Sequence, residues 1–264
     1  MNKIKYILVL SVLIILFLFL GYTVSRAYIN KASFEKDVLE IAEKNEEPIF
    51  SINNITLFSS CNSKSEIQSN STLKLSNLYQ YTDIAIFITP VDKNLTSKNT
   101  LKDVYIDNVN FVSSPSEGTP NLYYKNINKF ATSEYSEDNK IENNLHYKIS
   151  SEENEDLNMP ILYNNCANPI ALCYVNSNIK NDFTLPDAFS QITYDGSLLK
   201  KCGITLGSIS CSFSFDIHIT NNLGQDFICP VYIEIPLDLE DGTSIYDGKV
   251  LQKNNTNYTF YRLK

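Results

Sequence analysis

The sequence feature that most constrains this chain is an uncharged, strongly apolar run near its N-terminus, residues 6–25. The run reads YILVLSVLIILFLFLGYTVS and is twenty residues long. A helix rises about 1.5 Å per residue, so a run of this length covers the roughly 30 Å hydrocarbon core of a bilayer. The sequence therefore predicts one membrane-crossing helix, with the rest of the chain on one side of the membrane.

A cleavable signal peptide is the alternative interpretation of this run. Such signals have an apolar centre of about 7–15 residues and small residues before the cut. The present run is longer, and its best cut site, Ser25-Arg26-Ala27, carries an arginine between the small residues. We therefore expect residues 1–25 to form a short cytoplasmic tail and an uncleaved anchor.

The orientation of the anchor follows from what surrounds it. Lys3 and Lys5 precede the run, whereas Arg26 and Lys31 follow it, so the count of positive charges alone is indecisive. Long domains translocate largely regardless of flanking charge, and the MNKIK start is typical of an export signal. We expect a single-pass protein of the cell membrane with an extracellular C-terminal domain.

The composition of the remaining chain limits its size class and its partners. About 240 residues follow the anchor, enough for one large all-β domain or two of about 100 residues. The net charge of -8 and the pI near 4.9 disfavour nucleic acid and anionic lipid as partners. The 31 asparagines, with abundant Ser, Ile and Lys, are typical of an AT-rich genome and indicate a bacterial source.

All six cysteines follow the anchor, and an even number outside the membrane permits disulfides. The favoured pair is Cys202 with Cys211, which Gly207 and Ser208 would bring together as the turn of a hairpin; Cys166 and Cys173 are further candidates, and the connectivity stays open. Buried free thiols are the alternative. The spacings C-x6-C and C-x8-C lack the C-x2-C pair of cysteine zinc sites, so no metal and no cofactor is expected.

A short amphipathic helix is predicted after the anchor, within residues 26–46. Its apolar positions recur at helical spacing, Ser33 can cap its start and Pro48 can close its end. The stripe consists of Phe34, Val38, Ile41 and Ala42. We expect this stalk helix to pack on the domain or on the membrane surface, with a partner-binding helix as the alternative.

From Ile49 onward the apolar period changes to two, which is typical of half-buried strands. Two such runs, residues 213–219 and 227–235, flank Asn221-Asn222-Leu223-Gly224 and predict a hairpin. Three Asp-Gly pairs supply the positive φ angles of tight hairpin turns and predict more of them. They are Asp195-Gly196, Asp241-Gly242 and Asp247-Gly248.

The extracellular β domain, residues 47–264, shows two further features. The stretch 82–89 with 104–106 is similar in pattern to 213–220 with 231–235, which suggests two similar halves. Residues 132–159 are rich in Glu and Asp and predict a solvated loop around a short strand at 145–149. That loop lacks the D-x-D-x-D-G spacing of a calcium site.

Only two histidines are present, so histidine chemistry has few possible forms. His218 shares a predicted strand face with Asp216, Ser212 and Ser214. Neighbours on one strand point in parallel, whereas a Ser/His/Asp triad needs them to converge. We interpret this face as solvated.

The N-terminal anchor, the β-rich outer domain and His146 placed 65 residues before Cys211 resemble the layout of sortase transpeptidases. That resemblance implies a Cys nucleophile acting with a His and an Arg. The family's Thr-Leu-x-Thr-Cys motif is broken here, because Ile209-Ser210-Cys211 is displaced from Thr205-Leu206. The two arginines of the chain, Arg26 and Arg262, also leave no Arg shortly after the cysteine to stabilise an oxyanion.

Other enzyme and assembly classes fit less well. A pilin-type layout is similar, but the peptidase site before the apolar run and the Glu near its start are missing. Gly118 is the only glycine between Gly21 and Gly196, which excludes a Gly-rich phosphate loop over that span.

The sequence as a whole predicts an all-β protein, an antiparallel sandwich or jelly roll on an N-terminal transmembrane helix and a stalk helix. The predicted function is non-catalytic: a cell-surface module that binds an envelope or protein partner or contributes to envelope structure. The 17 tyrosines favour binding, because they offer amphipathic contact area. The alternative is an envelope hydrolase or a sortase-like transpeptidase that uses Cys211 or a carboxylate pair.

Overall fold

The computed structural model describes residues 2–44, 48–67, 72–92, 94, 96–141, 145–148, 169–185, 193–236, 245–254 and 258–263. Helix α1 (Asn2–Lys44) is continuous. The stalk predicted for residues 26–46 is helical as far as Lys44, and it continues the apolar segment as one helix without a break. No proline interrupts the span, so nothing in the sequence breaks the helix between its apolar part and its polar part.

Within α1, the span Leu10–Leu39 is long and apolar enough to cross a membrane; its apolar 18-residue window has a mean hydropathy of 2.0 and is not buried against the protein. The polar end of the helix contacts the β domain. Phe34, from the predicted apolar stripe, packs edge-to-face on Tyr261 with ring centroids 5.6 Å apart. The carboxylate of Asp37 accepts a hydrogen bond from the backbone N–H of Arg262.

The rest of the described chain forms two antiparallel sheets. The six-stranded sheet has the order β10-β1-β2-β6-β4, with β7 also pairing with β2. Its strands are β1 (Phe50–Ile67), β2 (Leu73–Pro90), β4 (Thr119–Tyr124), β6 (Ile170–Lys180), β7 (Phe183–Leu185) and β10 (Val250–Asn254). The five-stranded sheet has the order β11-β9-β8-β3-β5 and contains β3 (Leu101–Ser113), β5 (Leu145–Lys148), β8 (Cys211–Asn221), β9 (Asp226–Ile235) and β11 (Tyr261–Arg262).

One hydrophobic cluster draws side chains from both sheets. Tyr174 of the six-stranded sheet stacks on Phe213 of the five-stranded sheet with ring centroids 5.7 Å apart. Phe50 of the six-stranded sheet also packs on Phe227 of the five-stranded sheet, here edge-to-face at 5.4 Å. Aromatic pairs of this kind add to the area they bury, so they stabilise the contact between the two sheets.

The predicted C-terminal hairpin is confirmed. β8 and β9 pair along their length, from Cys211 opposite Ile235 to Thr220 opposite Asp226, and Gly224 in the turn has a φ of 74°. The alternation in β9 places its odd-numbered residues in the core and exposes Pro230, Tyr232 and Glu234. The period of two therefore predicted both the strands and the buried face.

Two Asp-Gly pairs within the described residues differ from the predicted hairpin turns. Asp195-Gly196 begins helix α2 (Gly196–Lys201), where the Asp195 carboxylate accepts a hydrogen bond from the backbone N–H of Ser197 at 2.8 Å. Aspartate is as favourable at a helix N-cap as in a turn, and here the cap is formed. Gly248 does have a positive φ of 78°, but it follows a short 3₁₀ turn (Ile245–Asp247).

The hairpin expected between Cys202 and Cys211 is also absent. Cys202 ends α2, Cys211 begins β8, and the residues between them include a 3₁₀ turn (Leu206–Ser208) rather than a two-strand turn. The described cysteines are buried free thiols: Cys61, Cys173, Cys202, Cys211 and Cys229. Cys166, the other disulfide candidate, lies outside the described residues.

The two stretches expected to share a layout are arranged differently. β2 belongs to the six-stranded sheet and β3 to the five-stranded sheet, whereas β8 and β9 form a hairpin within one sheet. In the acidic region, the described part contains a 3₁₀ turn (Glu137–Asn139) and β5, which confirms the short strand predicted there. Residues 142–144 and 149–159 of that region lie outside the described residues.

Candidate functional site

A groove of about 500 Å³ lies on the six-stranded sheet. Its walls come from β1, β2 and β6 and from the segment 126–141, called here the covering segment. The lining side chains are amide, hydroxyl or phenol groups with one carboxylate: Asn62, Ser63, Asn77, Tyr79, Tyr135, Glu137, Ser177 and Asn178. Two other described cavities are smaller, about 250 and 200 Å³.

The groove is on the face of the sheet that points away from the main core. Tyr81, Tyr123, Cys173 and Val175 form a second buried cluster there, separate from the one between the sheets. Residues of β2 alternate between the two faces, so Ile84 and Ile86 enter the main core while Tyr81 and Asp83 face the covering segment.

A buried ion pair fixes the covering segment to this face. Lys125 Nζ donates to both carboxylate oxygens of Asp83, at 2.6 and 2.7 Å, and the two side chains are 2% and 0% exposed. Lys125 Nζ also donates to the carbonyl of Thr132 at 2.5 Å, and the backbone N–H of Ala131 donates to Asp83 Oδ2 at 2.7 Å. Because the pair bonds to the backbone of the covering segment, it holds one wall of the groove in place.

Tyrosines form the inner side of the covering segment. Tyr135 packs against Tyr79 and Tyr123 with ring centroids 5.7 and 4.9 Å away. Tyr79 donates its hydroxyl proton to the carbonyl of Ser133, and Tyr123 donates to Glu137 Oε2, each at 3.1 Å. These contacts connect the strands to the covering segment around the groove.

The side chains that line the groove are suited to bind uncharged polar groups through hydrogen bonds. Burial raises the pKa of Tyr135 to about 12 and also raises the pKa of Tyr79, so both phenols stay protonated near neutral pH. Glu137 is the single charged residue of the lining. The Ser63 hydroxyl has no hydrogen-bond partner among the described residues. The lining therefore offers hydroxyl and amide groups beside aromatic surface.

The same lining does not hold a paired nucleophile and base. The second cluster contains the thiol of Cys173, but burial raises its pKa well above the ordinary value, and a protonated thiol is a poor nucleophile. Nucleophilic catalysis needs an activated side chain within hydrogen-bond reach of a base. Among the described lining residues, the arrangement supports binding better than covalent chemistry.

His218 has a partner that the sequence did not reveal. Its Nε2 lies 2.8 Å from Asp107 Oδ1 on the adjacent strand β3, and its ring stacks on Tyr105 at 4.3 Å. Asp216 lies opposite Asp107 in the strand register, and the three side chains could together hold a metal ion. Ser212 instead bonds the hydroxyl of Ser113 at 2.7 Å, so no triad forms.

The residues that resembled the sortase layout are not brought together. The backbone of His146 in β5 pairs with Tyr105, which pairs with His218 in β8. His218 is seven residues from Cys211 along that strand, or about 23 Å at 3.3 Å per residue. Cys211 Sγ donates to the carbonyl of Ser113 at 3.2 Å, and burial raises the pKa of its thiol.

Comparison of the chain with protein-family models, with curated proteins and with solved structures gives no match. Function is therefore inferred from the chain's own residues.

Proposed function

We propose that this chain is a single-pass membrane protein that presents a non-catalytic binding module outside the cell. The module is the extracellular β domain, in which the two sheets pack face to face as a sandwich or jelly roll. The groove on the six-stranded sheet is its binding site, and the ligand is an envelope component or a protein with exposed polar groups. The observation that carries the proposal is the groove itself, polar, partly aromatic and walled by a fixed segment.

The long helix supports the anchored part of this proposal. Large apolar side chains of α1 are exposed, among them Phe17, Leu18 and Phe19, each at least 65% exposed. A contiguous apolar surface of this extent is costly in water but stable within a bilayer. The contacts of Phe34 and Asp37 with β11 support a β domain held close to the polar end of this helix.

The competing function, an envelope hydrolase or sortase-like transpeptidase, lacks such support. It needs the Cys211 thiol close to a histidine. His218 lies seven residues from Cys211 along β8, and the backbone of His146 is level with His218, not with Cys211, in the strand register. The acidic net charge likewise argues against a nucleic acid as the partner.

We expect the β domain to be accessible from outside the cell. A protease added to intact, wall-stripped cells should digest the part of the chain after Arg26, because that part follows the membrane span. Immunoblotting with antibodies against each end of the chain would follow the digestion. Full protection of the part after Arg26, with cleavage of the N-terminal tail instead, would reverse the proposed orientation.

Substitution of the residues that resembled a sortase site should leave binding intact. We expect Cys211→Ala and His146→Ala to retain wild-type binding to cell-envelope fractions. Cys211→Ala should lower the free energy of unfolding by about 1–3 kcal/mol, because it leaves a small cavity in the core. Binding and urea unfolding would be measured on the same preparations. A stably folded variant of either residue that no longer binds would contradict the non-catalytic proposal and favour the enzyme.

A further inference from the structure

We propose that Asp107, Asp216 and His218 form a zinc site on the five-stranded sheet. The three residues, called here the cluster, come from adjacent strands β3 and β8. One ligand atom from each lies within 4.8 Å of the others. This site is independent of the groove, which lies on the other sheet.

The ligand types of the cluster fit a divalent ion that is intermediate between hard and soft, such as zinc. Imidazole and carboxylate are both zinc ligands, with metal–ligand distances of about 2.0–2.2 Å. Ligand atoms around a tetrahedral ion of that size are about 3.4 Å apart. The 2.8 Å between His218 Nε2 and Asp107 Oδ1 is a hydrogen bond, so zinc would replace it: the two atoms would move apart to about 3.4 Å, and Asp216 would supply the third ligand atom.

The surroundings orient the cluster. Tyr105 stacks on the imidazole at an interplanar angle of 6°, which fixes the ring with Nε2 toward Asp107. Asn108 donates from Nδ2 to Asp216 Oδ2 at 2.8 Å. Groups that orient metal ligands in this way belong to the outer shell of known metal sites.

The backbone at the cluster is irregular. The register between β3 and β8 shifts after the Asp107–Asp216 pair, and Asn108 has a φ of 52°. A bulge of this kind re-aims the neighbouring side chains, and bulges are frequent beside functional sites. Here Asn108 falls within the shift, outside the regular pairing of β3 with β8, and its side-chain amide donates to Asp216.

The local charge also favours a cation. Asp103 and Asp226 are close enough to Tyr105 to act on it electrostatically together with Asp107, with Arg26 acting in the opposite direction. Asp103 Oδ1 is buried and has no hydrogen-bond partner among the described residues. The His218 side chain is 11% exposed and that of Asp107 22%, so the ligands are shielded while solvent can still reach the fourth position.

The test is zinc binding by the full-length protein in detergent, without a histidine tag and stripped with a chelator. Competition with a chromogenic chelator should give one zinc per chain. Asp216→Asn keeps an oxygen for the Asn108 amide but removes the charge, and it should weaken zinc binding at least about tenfold. His218→Ala should do the same. Asp182→Asn, which alters an exposed carboxylate beside Lys74, is the matched control and should bind like wild type.

The melting temperature with and without zinc is a second measurement, which distinguishes loss of the site from poor folding of a variant. Zinc should raise the melting temperature of the wild type and of Asp182→Asn but not that of Asp216→Asn, since only an ion bound by the folded cluster stabilises it. Absence of zinc binding by the wild type would overturn the proposal. Equal zinc affinity in wild type, Asp216→Asn and His218→Ala would overturn it as well.

Discussion

Lys125→Met is expected to lower the free energy of unfolding by about 3–5 kcal/mol, because it leaves the buried Asp83 carboxylate without its cation. The pair is almost fully buried, so water cannot replace the lost ammonium group. The covering segment also loses the hydrogen bond from Lys125 Nζ to the carbonyl of Thr132. Urea unfolding followed by tyrosine fluorescence would measure the change, since the chain contains no tryptophan.

The matched control is Lys129→Met. Lys129 pairs with Glu134 at 2.5 Å in the same segment, but both side chains are more than half exposed. Exposed pairs contribute little, so this change should cost less than about 1 kcal/mol. Replacing both members of the buried pair, as in Asp83→Leu/Lys125→Met, should cost less than Lys125→Met alone, because no unpaired charge remains. A loss for Lys125→Met no larger than for Lys129→Met would show that the pair does not fix the segment.

The parts of the fold that follow from local periodicity were predictable from the sequence. The apolar run of residues 6–25 predicted the helix, and the alternation around Phe213 and Phe227 predicted a hairpin with the correct buried face. These predictions succeed because burial of one face constrains every second residue of a strand. The same argument does not say which strands pair across long separations, so the order of the two sheets had to come from the structure.

Two of the turn predictions failed for one physical reason: a residue with two favourable local roles. Asp195 can occupy a turn or a helix N-cap, and it caps α2. Gly207 can make a hairpin turn, yet it lies in a 3₁₀ turn, so Cys202 and Cys211 do not lie opposite each other on paired strands. The stalk was separated from the anchor by a change of polarity alone, and polarity does not interrupt backbone hydrogen bonds.

The candidate sites depend on contacts between strands that are distant in sequence. Asp107 precedes His218 by 111 residues, and Asp83 precedes Lys125 by 42. The only signal in the sequence was a charged residue within an apolar alternating run, as at Asp83. Without the register of the strands, that signal does not identify the partner.

If the groove binds an envelope ligand as proposed, Tyr135→Ala is expected to weaken that binding about 30-fold, as for an interface residue that contributes about 2 kcal/mol. Tyr135 lines the groove and also packs against Tyr79 and Tyr123, so its removal opens the wall and takes away contact area. Tyr232→Ala is the matched control. Tyr232 is an exposed tyrosine of β9 on the other sheet, and its hydroxyl bonds to Glu234.

The most direct test of the account is retention of the full-length protein in detergent on insoluble cell-envelope fractions. Wild type, Tyr135→Ala, Tyr232→Ala and Cys211→Ala would be titrated side by side, with the melting temperature of each recorded. We expect saturable binding by wild type, Tyr232→Ala and Cys211→Ala, and binding about 30-fold weaker by a folded Tyr135→Ala. Undiminished binding by Tyr135→Ala, or a loss confined to folded Cys211→Ala, would contradict it.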